Sequence, residues 1–296
     1  MKKGVVLSII TAIISGCSIF ANSIFVSKTD PLIFSIVRNA VVAVMLTGIL
    51  VAAGKIGELR SLTKRQWGQL AIIGIVGGGI PFALFFTGLS QIGAVSGNLI
   101  QKTLFLWVAV LAVPFLHERI SKIQLTGYAV LLLGMFVVGG TFTVINKTGT
   151  WLILAATILW AVENVIAKVA LKNIPSAIVS WGRMVFGLPC LLAAALVFGK
   201  IGLLTHASSF ALMPILVSSI FLTVYVTVWY SALSKAPATL VSSVLVFAPV
   251  VTALLGGVFL HKPVAGQQGI TLMLLTVGVI LVTLERFRPF THAEQV

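Results

Sequence analysis

The sequence predicts an all-α polytopic membrane protein with ten transmembrane helices arranged as two inverted five-helix repeats. Three observations carry that prediction. First, only 9% of the 296 residues are charged and 59% are hydrophobic, whereas about a quarter of a soluble domain is charged. With a mean hydropathy of +1.14, the chain cannot cover the surface of a soluble protein, which excludes a water-soluble enzyme fold. Second, the apolar residues form long continuous runs rather than the short alternating segments of a membrane β-barrel. Helices satisfy their own backbone polar groups in lipid. Third, the chain repeats itself with an odd number of spans in each half.

A span needs roughly 20 predominantly apolar residues. Such runs lie at about 4–25, 32–53, 68–89, 93–115, 123–142, 150–171, 177–198, 209–231, 236–259 and 265–284. The first follows Met1-Lys2-Lys3 and contains Ile14-Ser15-Gly16-Cys17, so it has the look of a cleaved leader. Its apolar run continues past Cys17 to about Val26, which favours a retained span. Span two carries Arg38 roughly seven residues in, where it either meets an anionic group or anchors the helix end at an interface. Span three holds Gly74, Gly77-Gly78-Gly79 and Pro81, the pattern of an irregular or kinked helix. Its glycine run lacks the Gly-Lys-Ser/Thr ending of a phosphate loop.

Span four presents Asn98, Gln101 and Lys102 on one stripe, which should face a bundle interior or cavity. Gly127 and Gly134 of span five allow two backbones to approach closely. Span six is the most polar. Glu163 is the only acidic residue well inside a span, about thirteen residues in and near mid-depth at roughly 1.5 Å per residue. It binds a cationic group, carries a coupling proton, or pairs with Arg183, Lys168 or Lys102. Asn164 and Lys168, four apart, stack on the adjoining face, and Lys168 is near enough to an end to snorkel. A charge at the bilayer centre costs at least about 2.5 kcal/mol unless it snorkels, pairs or lines a wet cavity. These few residues are therefore the site candidates.

Arg183 sits roughly seven residues into span seven, which also contains Pro189. Entering from the opposite side to Arg38, it is expected at the opposite depth. Tyr225 and Trp229, four apart in span eight, line a cavity or pack, as do Trp160, Trp181 and Tyr230. Trp67, Trp107 and Trp151 fall near span ends, where aromatic residues gather at the membrane interface. Span nine offers Ser242 and Ser243 where span four has its polar stripe, and Pro249 is expected to kink it.

The formal charge of +14 comes without a zinc-finger spacing, a recognition helix or a basic patch with interleaved aromatics, so no nucleic-acid partner is expected. Placing the N-terminus inside puts Lys2, Lys3, Lys55, Arg60, Lys64, Arg65, Arg119, Lys122, Lys172, Lys235, Arg286 and Arg288 in cytoplasmic segments. Only Lys28, Lys147, Lys200 and Lys262 fall outside. That bias predicts an integral plasma (inner) membrane protein with both termini cytoplasmic. Cys17 and Cys190 lie in apolar segments, and the histidines at 117, 206, 261 and 292 lie in loops or termini. No metal site, cofactor or catalytic constellation is expected.

The repeat is visible in Phe85-Phe86-Thr87-Gly88-Leu89-Ser90 against Trp229-Tyr230-Ser231-Ala232-Leu233-Ser234, an offset of 144. Leu116-His117-Glu118 meets Leu260-His261-Lys262 at the same offset, and Ser35 to Arg38 meets Ser180 to Arg183 at 145. The expected units are residues 1–145 and 146–296. Five spans per unit force the second to enter from the opposite side, the arrangement of secondary transporters built from inverted repeats.

These features resemble the ten-span branch of the drug/metabolite transporter superfamily, with two EamA-type domains. Trp160, Asn164 and Lys168 match the stretch that opens each repeat in that family. Arg38 and Arg183 match the arginine of each second helix, and Phe115-Leu116-His117-Glu118 followed by Gly127 matches the end of the fourth helix and the fifth. The first repeat departs from the opening motif with Ser15, Ile19 and Ser23, and Lys262 stands where the second repeat should carry Glu. The resemblance implies a secondary active transporter, in the export direction, for a small organic metabolite or drug-like solute. H+ or Na+ would drive alternating access between the repeats. A passive facilitator or channel for small polar solutes is the other reading, and lateral association in lipid, including a homodimer, stays open.

Overall fold

A computed structural model describes residues 2–25, 30–92, 94–139, 148–204, 212–261 and 266–284. Lys28, Lys147, His206, Lys262, Arg286, Arg288 and His292 lie outside them. The described residues form helices joined by turns: α1 Lys2–Phe25, α2 Pro31–Ala52, α3 Ile56–Arg60, α4 Lys64–Ile73, α5 Ile80–Ile92, α6 Ala94–Lys102, α7 Leu104–Leu116 and α8 Lys122–Gly139. The second half continues with α9 Thr148–Ala170, α10 Ser176–Val197, α11 Leu212–Lys235, α12 Ala238–Val244, α13 Ala248–Leu260 and α14 Gly266–Leu284. Among the described residues nine helices are long and apolar enough to cross a membrane, and Lys122–Val137 is a shorter apolar tenth. Large apolar side chains point outward, Val44 at 73%, Phe115 at 68% and Val197 at 81% exposure. Only a lipid solvent makes such a surface stable.

Span three begins earlier than its apolar run. Thr63 accepts from the Gln66 N–H while the Gln66 side chain accepts from the Thr63 N–H, a capping box that starts α4 at Lys64. As the glycine run predicts, the helix is then irregular. Gly74–Gly79 form a π-helical segment, with the Ile80 N–H bonding five residues back to Ile75. This segment lies directly on α10. A Cβ on Gly187 would stand 2.7–2.8 Å from the carbonyl carbon, Cα and oxygen of Gly78. Backbone has no room to yield there, so Gly187→Ala is expected to cost about 1–3 kcal/mol, the range of overpacking, read as a lower melting temperature in detergent. The Gly127–Gly278 contact joins α8 and α14 in the same way, with a Gly127 Cβ position 3.0 Å from the Gly278 carbonyl oxygen.

Span nine breaks just before Pro249. That ring removes the bond to the Leu245 carbonyl, and Leu245–Phe247 tighten into a 3-10 turn before α13 resumes. Span four breaks at the equivalent height without a proline. There the Thr103 hydroxyl donates to the Ile100 carbonyl at 2.6 Å, competing with the helix backbone. The pieces that follow, α7 and α13, are each 13 residues long and start and end at the offset of 144. Both stop on a histidine in the left-handed region, His117 at φ 55° and His261 at φ 49°. Pro189, by contrast, lies within an unbroken α10.

Packing follows the repeat. α1 packs on α11 of the other half, as α9 packs on α5; α13 packs on α1, as α7 packs on α9. The pairs α2–α10 and α8–α14 map onto themselves. Each contact thus has its counterpart when the halves are exchanged, as two inverted five-helix repeats require. The halves interleave rather than sit side by side.

We call the end where Lys2 starts α1 proximal and the other end distal. At the distal end Asp30 caps α2, its Oδ1 accepting from the N–H groups of Leu32 (3.0 Å) and Ile33 (3.2 Å), with Pro31 in the first turn. Its Oδ2 pairs with Lys200 Nζ at 2.6 Å. Burial alone would raise the Asp30 carboxyl. The Lys200 ammonium and the two N–H groups outweigh it and hold the pKa below the ordinary carboxylate value. The resulting stability is present above the usual carboxylate range and lost as pH falls through the lowered value. Asp30→Asn keeps a capping oxygen and removes the pair, so it is expected to cost less than about 1 kcal/mol at neutral pH. That difference should vanish in acid, as followed by thermal unfolding.

Candidate functional site

Sequence places the polar residues one helix at a time, and folding collects most of them around one central cavity of about 280 Å3. α2 contributes Arg38, span four Gln101 and Lys102, α9 Trp160, Glu163 and Asn164, α10 Arg183, and α11 Tyr225 and Trp229. Ser15, Ser18 and Asn22 of α1 and Ser242 of α12 complete its polar wall. The α1 residues belong to the helix face where the first repeat departs from the Trp-Asn-Lys motif.

Glu163 is buried, at 2% exposure. Tyr230 donates its phenolic O–H to Glu163 Oε1 at 2.5 Å. Among the described residues, Lys200–Asp30 is the one ion pair within 4 Å. The expected pairing of Glu163 with Arg183, Lys168 or Lys102 is therefore not formed. Gly77 explains how Glu163 fits. A Cβ there would overlap Glu163 Cγ and stand 2.9 Å from Glu163 Cδ and 3.2 Å from Arg183 Nε. Two donors converge on the Gly77 carbonyl, Trp160 Nε1 at 3.0 Å and Arg183 Nη2 at 3.1 Å. The π-helical segment thus presents backbone to the cavity where an ordinary residue would block it.

Arg38 and Arg183 border the same cavity from α2 and α10, two helices that are in contact. The Arg38 guanidinium lies 5.8 Å from the Phe34 ring centroid. The Nε atoms of both arginines are buried without a hydrogen-bond partner. Asn164 donates to the Trp160 carbonyl at 2.8 Å and leaves its Oδ1 unpartnered. Tyr225 and Trp229 stack, with centroids 5.9 Å apart and planes at 20°. Opposite them Phe82 meets Trp160 edge-on at 5.4 Å.

Two candidates lie elsewhere. Asn98 lines a second, largely apolar cavity of about 240 Å3, separated from the first by Lys102, which borders both. Lys168 sits at the proximal end and donates to the carbonyls of Leu233 (2.6 Å) and Ala236 (2.7 Å). These belong to the C-terminus of α11, where a cation also suits the helix dipole.

Just across the turn, Glu118 does the converse at the start of α12. It accepts from the N–H groups of Ala238 (2.7 Å) and Thr239 (3.0 Å) and from the Thr239 hydroxyl (2.7 Å). A cation from α9 and an anion from the end of span four therefore clamp the α11–α12 turn at the proximal end. Sequence reading noted Glu118 only as part of a motif. The Pro237 that opens α12 was the available signal for its role. Trp181 bonds to the Thr47 hydroxyl at 2.9 Å rather than lining the cavity.

Comparison with known proteins agrees with this architecture. A chain of known crystal structure aligns with a TM-score of 0.77 over 96% of this chain and 99% of its own, at 17% identity, which speaks for the fold alone. An uncharacterized transporter of Methanothermobacter thermautotrophicus is 23% identical over 297 residues, covering 93% of this chain and 84% of that protein. The uncharacterized transporter YoaV of Bacillus subtilis is 23% identical over 285 residues, covering 94% and 96%. The EamA-like transporter family matches residues 2–140 and again 147–284. With both repeats matched and, among the described residues, nine apolar helices of spanning length and a shorter tenth, the chain is an integral membrane protein that belongs to the EamA-like transporter family.

Proposed function

We propose that the chain is a proton-coupled secondary active transporter that exports a small organic metabolite or drug-like solute across the plasma membrane. Its central cavity opens alternately to the two sides. The observation that carries this reading is a single carboxylate, Glu163, buried on that cavity and held by a neutral phenol rather than a cation. A carboxylate so placed can take up a proton and release it as access changes, without first breaking an ion pair. Residues 1–145 and 146–296 are the two units in this reading, with both termini cytoplasmic and the proximal clamp at the cytoplasmic end. The breaks at Thr103 and Leu245–Phe247 supply places where spans four and nine can flex beside the cavity.

The test is flux of a broad panel of labelled metabolites into and out of vesicles holding the purified protein, under an imposed pH gradient. Gradient-dependent flux of at least one solute is expected. No gradient-dependent flux for any solute overturns the reading. Flux driven by a Na+ gradient and indifferent to pH replaces the coupling ion.

A further inference from the structure

The cavity's charge says what kind of solute it takes. Among the described residues three cationic side chains, Arg38, Arg183 and Lys102, border it against the one carboxylate of Glu163, an excess of two positive charges. Glu163 cannot neutralise them by contact, having no cation within 4 Å. The Arg38 guanidinium has no hydrogen-bond partner among the described residues, and the Nε of Arg183 is likewise buried and unpartnered. Bringing uncompensated charges out of water costs several kcal/mol each. Two guanidiniums facing one cavity repel each other besides. The arrangement is stable in lipid only if something negative is to be held there. Arginine, with planar forked donors, suits a carboxylate or phosphate group. Along the same wall, Tyr225 and Trp229 offer a stacked aromatic face. A volume of about 280 Å3 is at the small end for organic ligands.

Resting on the transporter reading, we propose that the solute is a small organic anion. Its carboxylate or phosphate lies between Arg38 and Arg183, and its flat apolar body lies against Tyr225 and Trp229. The repeat supplies the pair: the two arginines are equivalent positions of the two halves, so inverted symmetry sets one guanidinium on each side of the anion. Lys102 has no cationic counterpart in span nine, where Val246 stands at the repeat-equivalent position. It adds the third charge from one side only.

The experiment is binding to the full-length purified protein in lipid nanodiscs, read by quenching of tryptophan fluorescence, and needs no transport. The probes share one ring and differ in charge: phenylacetate, phenyl phosphate, phenylacetamide and phenethylammonium. At least one of the two anions is expected to bind about tenfold or more tighter than the amide, the equivalent of one charge-assisted hydrogen bond, and the ammonium weakest. Which anion wins distinguishes carboxylate from phosphate. Arg38→Gln should remove that preference and Arg38→Lys should restore part of it. Equal or tighter binding of the amide or ammonium overturns the proposal, as does binding of none of the four. The wild-type series decides the matter even if Arg38→Gln fails to fold. Anion binding without any flux would sink the transporter reading and leave this site standing. Gradient-driven flux of cations without anion binding would do the reverse.

Discussion

Glu163→Gln is expected to abolish pH-driven accumulation of solute while leaving the protein folded and inserted. Glutamine matches the shape of glutamate and keeps an oxygen for the Tyr230 hydroxyl, now 2.5 Å from Glu163 Oε1. It also fits the space left by Gly77, which already touches the side chain at this position. What it removes is the one carboxylate that borders the cavity among the described residues. Exchange of labelled for unlabelled solute at equal pH needs no net proton movement and should persist. Accumulation under a pH gradient should fall to the level of empty vesicles. Unchanged accumulation would return Glu163 to a structural role.

Glu118→Ala should have the second largest effect, on conformation rather than chemistry. One carboxylate accepts three bonds at the first turn of α12, where the helix dipole also favours negative charge. Its removal frees two backbone N–H groups beside residues that are fully buried, Thr239 at 0% exposure among them. Glu118 is only part-buried, so the loss is expected at about 1–3 kcal/mol, a helix cap together with a charged hydrogen bond. The melting temperature should fall. A cysteine placed at Ala236, 3% exposed as alanine, should become reactive to a membrane-impermeant thiol reagent added on the proximal side. Unaltered reactivity would show that Glu118 does not hold the α11–α12 turn in place.

The fold was largely legible because its determinants are local. Span length, the Gly74–Gly79 irregularity and the five-plus-five repeat are read from composition and offset. In the site, scarcity identified Glu163, Lys102 and the two arginines as significant, since charge inside lipid demands a reason. Partners were not legible. Tyr230 lies 67 residues from Glu163 and Glu118 lies 120 from Ala238, and nothing in their spacing announces that they meet. That Arg38 and Arg183 share one cavity was not legible either, because it depends on the contact between α2 and α10. Asn98 and Lys168 share helices with cavity residues yet point elsewhere. Which flank of a polar stripe faces the cavity depends on the neighbouring helices.

The departures from the family motif acquire a physical sense. At the proximal end Lys168 and Glu118 hold the α11–α12 turn. The repeat-equivalent positions are Ser23 and Lys262, which cannot make the same pair of charged caps. The charged clamp at the proximal end therefore has no repeat-equivalent pair of opposite charges.

The steady-state ratio of solute across the vesicle membrane, with the electrical potential held at zero and a known pH difference imposed, tests the central claim most directly. Coupling to one proton predicts a ratio that departs from one by about tenfold per pH unit, since each tenfold ratio corresponds to about 1.4 kcal/mol. The ratio should collapse when a protonophore is added. A ratio that settles at one whatever the pH difference would make the chain a passive facilitator and contradict the account.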